Sequence, residues 1–218
     1  MVGGDVKAGE LIGQLYDRDP ATRDLAVDTL VSLGECAVPD LIGVLDDPDE
    51  SVQEYAVQAL AGIGSPALPY LIRALEQEDE ELVGRIGWVL GAIGDPAIEP
   101  LISSLGSHIP ALQLSAGATL IAMGDPAVPG LIRCLVHEDD DVRAIAQAVL
   151  AEIGSPAAEM LIEAYRSADD ALRDPIRHLL AEIGAPAVPP LQKAINDPDP
   201  AVRRCAEAVL GSLQDREE

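Results

Sequence analysis

Histidine, cysteine and tryptophan are the scarce residues of this chain, and any chemistry it performs has to be assembled from few of them. The histidines are His108, His137 and His178, and the cysteines are Cys36, Cys134 and Cys205. A metal site built from His108, His137 and Glu138 would require two separate turns to converge, whereas turn histidines more simply face solvent. No serine or cysteine stands beside a candidate base, no glycine loop has phosphate-binding spacing, and no residues have zinc spacing. No catalytic residue, metal or cofactor is therefore expected. Trp88 is the one tryptophan. Gly84, Gly87 and Gly91 surround it on a helical pattern, each at a cost of roughly 1 kcal/mol relative to alanine. That concentration suggests that something approaches the backbone closely there.

The elements that must position these residues repeat every 30 positions. The stretch Asp125 to Gly154, DPAVPGLIRCLVHEDDDVRAIAQAVLAEIG, aligns without a gap on six other segments, giving copies at 5–34, 35–64, 65–94, 95–124, 125–154, 155–184 and 185–214, with a tail at 215–218. Within the unit, Asp125 and Pro126 are expected to start helix A, the aspartate as cap and the proline where a missing donor costs nothing. Val128, Leu131, Ile132 and Leu135 form its apolar face. The acidic run Glu138 to Asp141 ends that face, and Asp139 suits the start of helix B. Val142, Ile145, Ala146, Val149, Leu150 and Ile153 continue the helical spacing until Gly154 supplies a left-handed stop. One such pair cannot bury its own apolar faces, so the copies must stack. The fold expected is all α, a right-handed α-solenoid of seven helix-turn-helix repeats forming one domain, 1–218.

Departures from the pattern carry their own expectations. The first copy, with Val6 and Gly9 where later copies have proline, and the seventh, with Gln192 and Gln214 in apolar and glycine slots, read as end caps. Pro175 lies inside the second helix of the sixth copy and predicts a shortened or kinked helix restarting at Asp174. The turn Gly106 to Pro110 is the one inter-helix turn without a carboxylate. The other turns, Asp46 to Glu50, Glu76 to Glu81, Glu138 to Asp141, Asp169-Asp170 and Asp197 to Asp199, should form an acidic ridge that mainly caps helices and is solvated.

Charge narrows the partners. The chain has 38 acidic against 14 basic residues, a net charge of -24, and its only lysines are Lys7 and Lys193. Such a field repels phosphate backbones, so a nucleic-acid partner is not expected. The shortage of lysine points to a high-salt cytoplasm, where a Debye length of about 3 Å at 1 M salt would screen self-repulsion. The melting temperature is accordingly expected to be higher in molar KCl than in dilute buffer, and an unchanged or lowered value would refute this. No apolar run reaches membrane-spanning length, and the segment MVGGDVKAGE lacks a signal peptide's apolar stretch. The cysteines, two or more repeats apart, are read as reduced packing residues of a cytoplasmic protein.

Helix B also has positions outside the core pattern, spaced three and four apart on one face. They include Gln58 in the second copy, Gly84, Gly87, Trp88 and Gly91 in the third, Leu114, Gly117, Ala118 and Ile121 in the fourth, and Gln147 in the fifth. Two readings of Trp88 follow: it folds across Gly117 and Ala118 as packing, or it joins Leu114 and Ile121 in receiving an apolar anchor.

The pattern [S/D]-P-A-[V/L/I]-x-x-L-I followed by D-x-x-V-R-x-x-A-x-x-[A/V]-L-x-x-[I/L]-G resembles the HEAT-repeat family, in the short form known as PBS-lyase HEAT-like repeats, over Asp5 to Gln214. The resemblance implies that B helices line a concave binding face. It therefore points to a non-enzymatic scaffold holding a protein or peptide in that groove, with self-association a further possibility. The family also includes phycobilin lyase subunits and iron-dependent deoxyhypusine hydroxylases, so the alternative is an enzyme, or enzyme subunit, binding a small ligand near Trp88. The hydroxylases hold iron with His-Glu pairs within repeated helices; here the one such pair, His137-Glu138, falls in a turn.

Overall fold

Prolines decide how each repeat begins. The computed structural model describes residues 2–76 and 80–215, with side chains described for 8–76 and 81–215. Part of the acidic turn at Glu76 to Glu81 and the tail after Asp215 lie outside the described residues. Fourteen α-helices in seven consecutive pairs, and no strand, are found among the described residues. The chain forms two compact units, Met1–Ala122 and Met123–Glu218.

The first unit contains α1 (Val2–Gln14), α2 (Pro20–Leu33), α3 (Val38–Val44), α4 (Glu50–Ile63), α5 (Leu68–Ala74), α6 (Glu80–Ile93), α7 (Ile98–Ser104) and most of α8 (Pro110–Met123). Helices α2, α4 and α6 lie side by side in one layer, and α1, α3, α5 and α7 in the other. The second unit contains α9 (Val128–Cys134), α10 (Asp140–Ile153), α11 (Ser155–Ser167), α12 (Asp170–Ile183), α13 (Val188–Ala194) and α14 (Pro200–Gln214), with α10, α12 and α14 neighbouring one another on one side and α9, α11 and α13 on the other. Between the layers run leucines at the repeat spacing, Leu41, Leu71 and Leu101 against Leu60, Leu90 and Leu120 in the first unit, all fully buried. This is the periodicity of the sequence converted into a core.

The expected start of helix A is corrected. Asp125 makes no side-chain cap, and Asp125–Ala127 is a 3-10 turn that precedes the α-helix at Val128. The same tight turn occupies Gly34–Ala37, Ser65–Ala67, Asp95–Ala97 and Ala185–Ala187. In each of these copies, including the one at 35–64 where Cys36 takes the first proline's place, a further proline follows the turn: Pro39, Pro69, Pro100, Pro129 or Pro189. Lacking an N–H, it cannot bond the carbonyl four residues back, and its ring crowds that carbonyl. The backbone ahead of it tightens to three-residue bonding, as in Ala127 N–H to Gly124 O at 3.0 Å. The first and sixth copies lack the second proline, and there helix A is continuous over 13 residues.

Aspartates hold the starts of the B helices. Asp19, Asp49, Asp139, Asp169 and Asp199 each accept a backbone N–H of the first turn. Two residues earlier, Asp17, Asp47 and Asp197 accept the cap residue's own N–H at 2.8 to 2.9 Å. His137 Nδ1 and Ser107 Oγ replace that carboxylate in their turns, both at 3.1 Å. The described acidic turns thus serve capping first, as the sequence suggests. Arginines close the same turns from within: Arg23 donates to Asp17 O at 2.6 Å and Arg203 to Asp197 O at 2.7 Å. At the far end, Gly34, Gly64, Gly94, Gly124, Gly154 and Gly184 all have φ between 63° and 76°. Their ψ values lie between -123° and -139°, outside the left-handed helical region and accessible essentially to glycine alone. Gln214 stands in that slot in the last copy, and α14 runs on through it.

Two further expectations are corrected. Helix α12 is neither shortened nor restarted at Asp174: it begins at Asp170, capped by Asp169, and continues through Pro175. The carbonyl that loses its donor belongs to Ala171, an exposed residue where water can replace the bond. Of the cysteines, Cys134 and Cys205 are buried but Cys36 is exposed and does not pack in the core; all three are thiols.

Some of these turns also join neighbouring repeats. Arg166 grips the Asp197 carboxylate with two bonds of 2.9 and 3.1 Å, and the Tyr16 hydroxyl donates to Asp47. The Arg166 bond, with the Asp199 N–H, holds Asp197 below the usual carboxylate range, and the Tyr16 bond does the same for Asp47. A depressed carboxylate contributes stability above its unfolded pKa and loses it as pH falls through the folded value, here below about 4. The melting temperature should therefore fall as pH drops below about 4, where these two carboxylates become protonated. A continuous rise down to pH 3 would contradict this.

No single described helix is long and apolar enough to cross a membrane.

Candidate functional site

Helices α4 and α6 bury one face and leave another unused, and the site lies on the unused one. Helix α4 turns Val52, Ala56, Ala59 and Leu60 inward, and α6 turns Ile86, Val89 and Leu90 inward. Helical spacing then puts Glu54, Val57 and Gln58 of α4, and Gly84, Gly87, Trp88 and Gly91 of α6, away from the core. Between the helices opens a groove of about 700 Å³ lined by Leu45, Glu50, Gln53, Glu54, Val57, Gln58, Glu81, Gly84, Arg85 and Trp88.

Trp88 is 78% exposed. The reading in which it folds across Gly117 and Ala118 as packing is therefore set aside. A tryptophan this open leaves an apolar ring in water, where it contributes nothing to the core. The glycines divide by role. A β-carbon at Gly84 or Gly91 would meet nothing within 4 Å, so among the described residues no side chain crowds those backbones. At Gly87 it would stand 3.4 Å from Thr119 Oγ1 on α8, an ordinary van der Waals distance. A tighter approach occurs at Gly62, where a β-carbon would lie 2.7 Å from Val31 Cγ2.

Of the residues singled out from the sequence, Trp88, Gly84 and Gln58 come together at the groove. Gly91, Leu114, Gly117, Ala118 and Ile121 do not line it, although Leu114 is itself 75% exposed on α8. Gln147 lies on α10 in the second unit. Sequence reasoning missed Glu50, Glu81 and Arg85 as groove residues. Their signal was the repeat register: 54 pairs with 84, and 58 with 88, across neighbouring B helices.

The electrostatics of the groove are lopsided. Arg85 donates to Asp46 at 2.6 Å and lies 3.6 Å from Glu81. Glu50 and Glu54 are exposed and have no cation within ion-pair distance among the described residues. Two exposed carboxylates, Glu50 and Glu54, therefore line the groove beside an Arg85 that is already engaged by Asp46.

No set of groups suited to metal binding accompanies the groove. Among the described residues no three or more His, Cys, Asp or Glu side chains are arranged to hold a metal ion. His137 spends its Nδ1 lone pair on the Asp139 N–H. Burial pushes the Cys205 thiol up, which leaves it a poor nucleophile.

Comparison with solved structures finds helical-repeat proteins at low identity. Human deoxyhypusine hydroxylase in complex with glycerol is 20% identical, with 98% of each chain covered and a TM-score of 0.34. The archaeal HEAT-like repeats protein from Thermococcus onnurineus NA1 is 14% identical, with 95% of this chain and 97% of that one covered and a TM-score of 0.34. The CpcE and CpcF complex of phycocyanin lyase from Nostoc sp. PCC7120 is 19% identical, with 94% and 98% covered and a TM-score of 0.33. No protein of curated function matches the chain. The family model for HEAT repeats matches in overlapping windows at residues 9–86, 38–120, 69–151, 98–179 and 158–218. With paired helices, a proline-set entry and a glycine exit repeating in the same register, the chain belongs to the HEAT-repeat family.

Proposed function

We propose that the protein is a non-enzymatic cytoplasmic scaffold that holds a segment of another protein against the B-helix face, its seven repeats acting as one array. The observation that carries this reading is the exposed Trp88 on the wall of the α4–α6 groove. Exposed tryptophans that repay their hydration cost do so by being covered, and tryptophan is among the residues most enriched in binding hot spots. The open backbones at Gly84 and Gly91 support the same reading, because they admit a partner without displacing any side chain of this chain.

A quantitative pull-down from source lysate at matching salt, comparing wild type with Trp88→Glu, tests the proposal. A protein captured by the wild type and lost by a folded variant supports it; a full set of retained partners moves binding away from this groove. A small ligand or chromophore carried through purification, released by the same substitution, would instead favour the enzyme-subunit alternative.

A further inference from the structure

We infer that the protein associates end to end, the seventh repeat of one molecule stacking on the first repeat of another as consecutive repeats stack within the chain. The joint is independent of the α4–α6 groove and does not involve Trp88.

Two exposed apolar residues mark the faces that would meet. Leu15, Leu45, Leu75, Leu105 and Leu135 hold the eleventh position of their repeats and are buried, whereas Ile195, in that position of the seventh repeat, is 37% exposed. Leu25, in the twenty-first position of the first repeat, is 65% exposed. At two junctions inside the chain the eleventh position of one repeat meets the twenty-first of the next: Leu45 and Arg85 line one groove, and Tyr165 is hydrogen-bonded to Cys205. A capping repeat turns a polar face outward. Ile195 and Leu25 depart from that rule, and in the register of the array each is the missing partner of the other. The closest approach inside the chain follows the same register, with Gly62 against Val31. Its equivalents at the joint are Ser32 and Gly211, both small, and a β-carbon at Gly211 would meet nothing within 4 Å.

The polar groups match as well. Tyr16 donates to Asp47 and Arg166 to Asp197, so the twelfth position of one repeat bonds the thirteenth of the next. Between molecules those positions are Asn196 and Asp17, an exposed amide and an exposed carboxylate. On the B-helix side, Glu54 lines its groove with Gly84 and Arg85 of the following repeat. The equivalent neighbours are Arg204 of one molecule and Asp24 and Leu25 of the other. Arg204 and Asp24 are exposed, and neither has an ion-pair partner among the described residues. Asp28 and Glu207 lie one turn further along. Two molecules of net charge -24 repel each other, but at about 0.15 M salt the screening length is about 8 Å, so the groups near the joint decide. The seventh repeat sets Lys193, Arg203 and Arg204 against Asp197, Asp199 and Glu207 and is the one repeat without a net negative charge. Such a head-to-tail contact leaves an unused face at either end, so molecules add into open chains or close into a ring.

Sedimentation velocity over a concentration series reaching about 1 mM, at about 0.15 M salt, tests the joint on the 218-residue chain and its variants. Leu25→Glu spoils the face of the first repeat and Arg204→Glu that of the seventh, and both positions are exposed, so the variants should melt with the wild type. The wild type should sediment faster as concentration rises. Each variant alone should associate about ten-fold more weakly or not at all. An equimolar mixture of the two retains one sound face on each molecule, and should therefore form a one-to-one dimer and nothing larger. The double variant Arg204→Glu/Asp24→Arg, in which the charge pair is reversed, should regain association. A wild type that stays monomeric throughout would overturn the inference. So would association unchanged by either single substitution, or failure of the mixture or of the reversed pair to restore it.

Discussion

Leu90→Ala is expected to destabilise the protein by about 2–5 kcal/mol, whereas Trp88→Ala, two residues away on the same helix, should change stability by less than about 0.5 kcal/mol. Leu90 is 0% exposed and belongs to the column of leucines that joins the two layers of the first unit. Truncating it removes buried methyl groups and leaves a cavity that the neighbouring repeats, tied at Tyr16–Asp47 and Arg85–Asp46, cannot readily close. Trp88 makes no comparable contribution at 78% exposure, and alanine is the better helix former. Paired denaturant titrations check both at once. Equal losses for the two variants would mean that Trp88 belongs to the core.

The same tryptophan substitution should have its large effect on binding. Truncating a central aromatic anchor commonly costs 2 kcal/mol or more, which corresponds to a loss of affinity of about 30-fold or greater. Trp88→Ala is thus expected to separate the two quantities, stability kept and partner affinity lost. Leu114→Ala serves as the comparison: Leu114 is almost equally exposed but does not line the groove, so its removal should weaken the partner by much less. Titration of the two variants against a partner captured by the wild type supplies the numbers. Losses of similar size would extend the binding surface across α8.

Much of the fold was legible because the rules that set it are local and repeat seven times. The leucine columns, the aspartate caps and the glycine stops each recur at 30 residues and appear where their spacing places them. The start of helix A was misplaced because two prolines compete there. The first proline suits a helical first turn, but the second, at Pro129 and its counterparts, removes a donor and forces the preceding turn into 3-10 form. Pro175 misled in the opposite sense: Asp169 already fixes the helix start, and one unpaired carbonyl at the exposed Ala171 is a tolerable cost. The state of Trp88 could not be read from periodicity, since Gly117 and Ala118 offer room for either packing or exposure. The groove is a property of two helices 30 residues apart, so its acidic members, read one turn at a time, look only like helix caps. Their shared register is what assembles them.

Because Trp88 is the one tryptophan, its emission reports on the groove without a label. The most direct measurement of the central claim is the fluorescence spectrum and acrylamide quenching of the wild-type protein, first alone and then saturated with its captured partner. The free protein should emit as a solvent-exposed tryptophan and quench efficiently. With the partner bound, emission should shift to shorter wavelength and quenching should fall sharply. A partner that saturates the protein while leaving both the spectrum and the quenching of Trp88 unchanged would show that the groove between α4 and α6 is not where binding occurs.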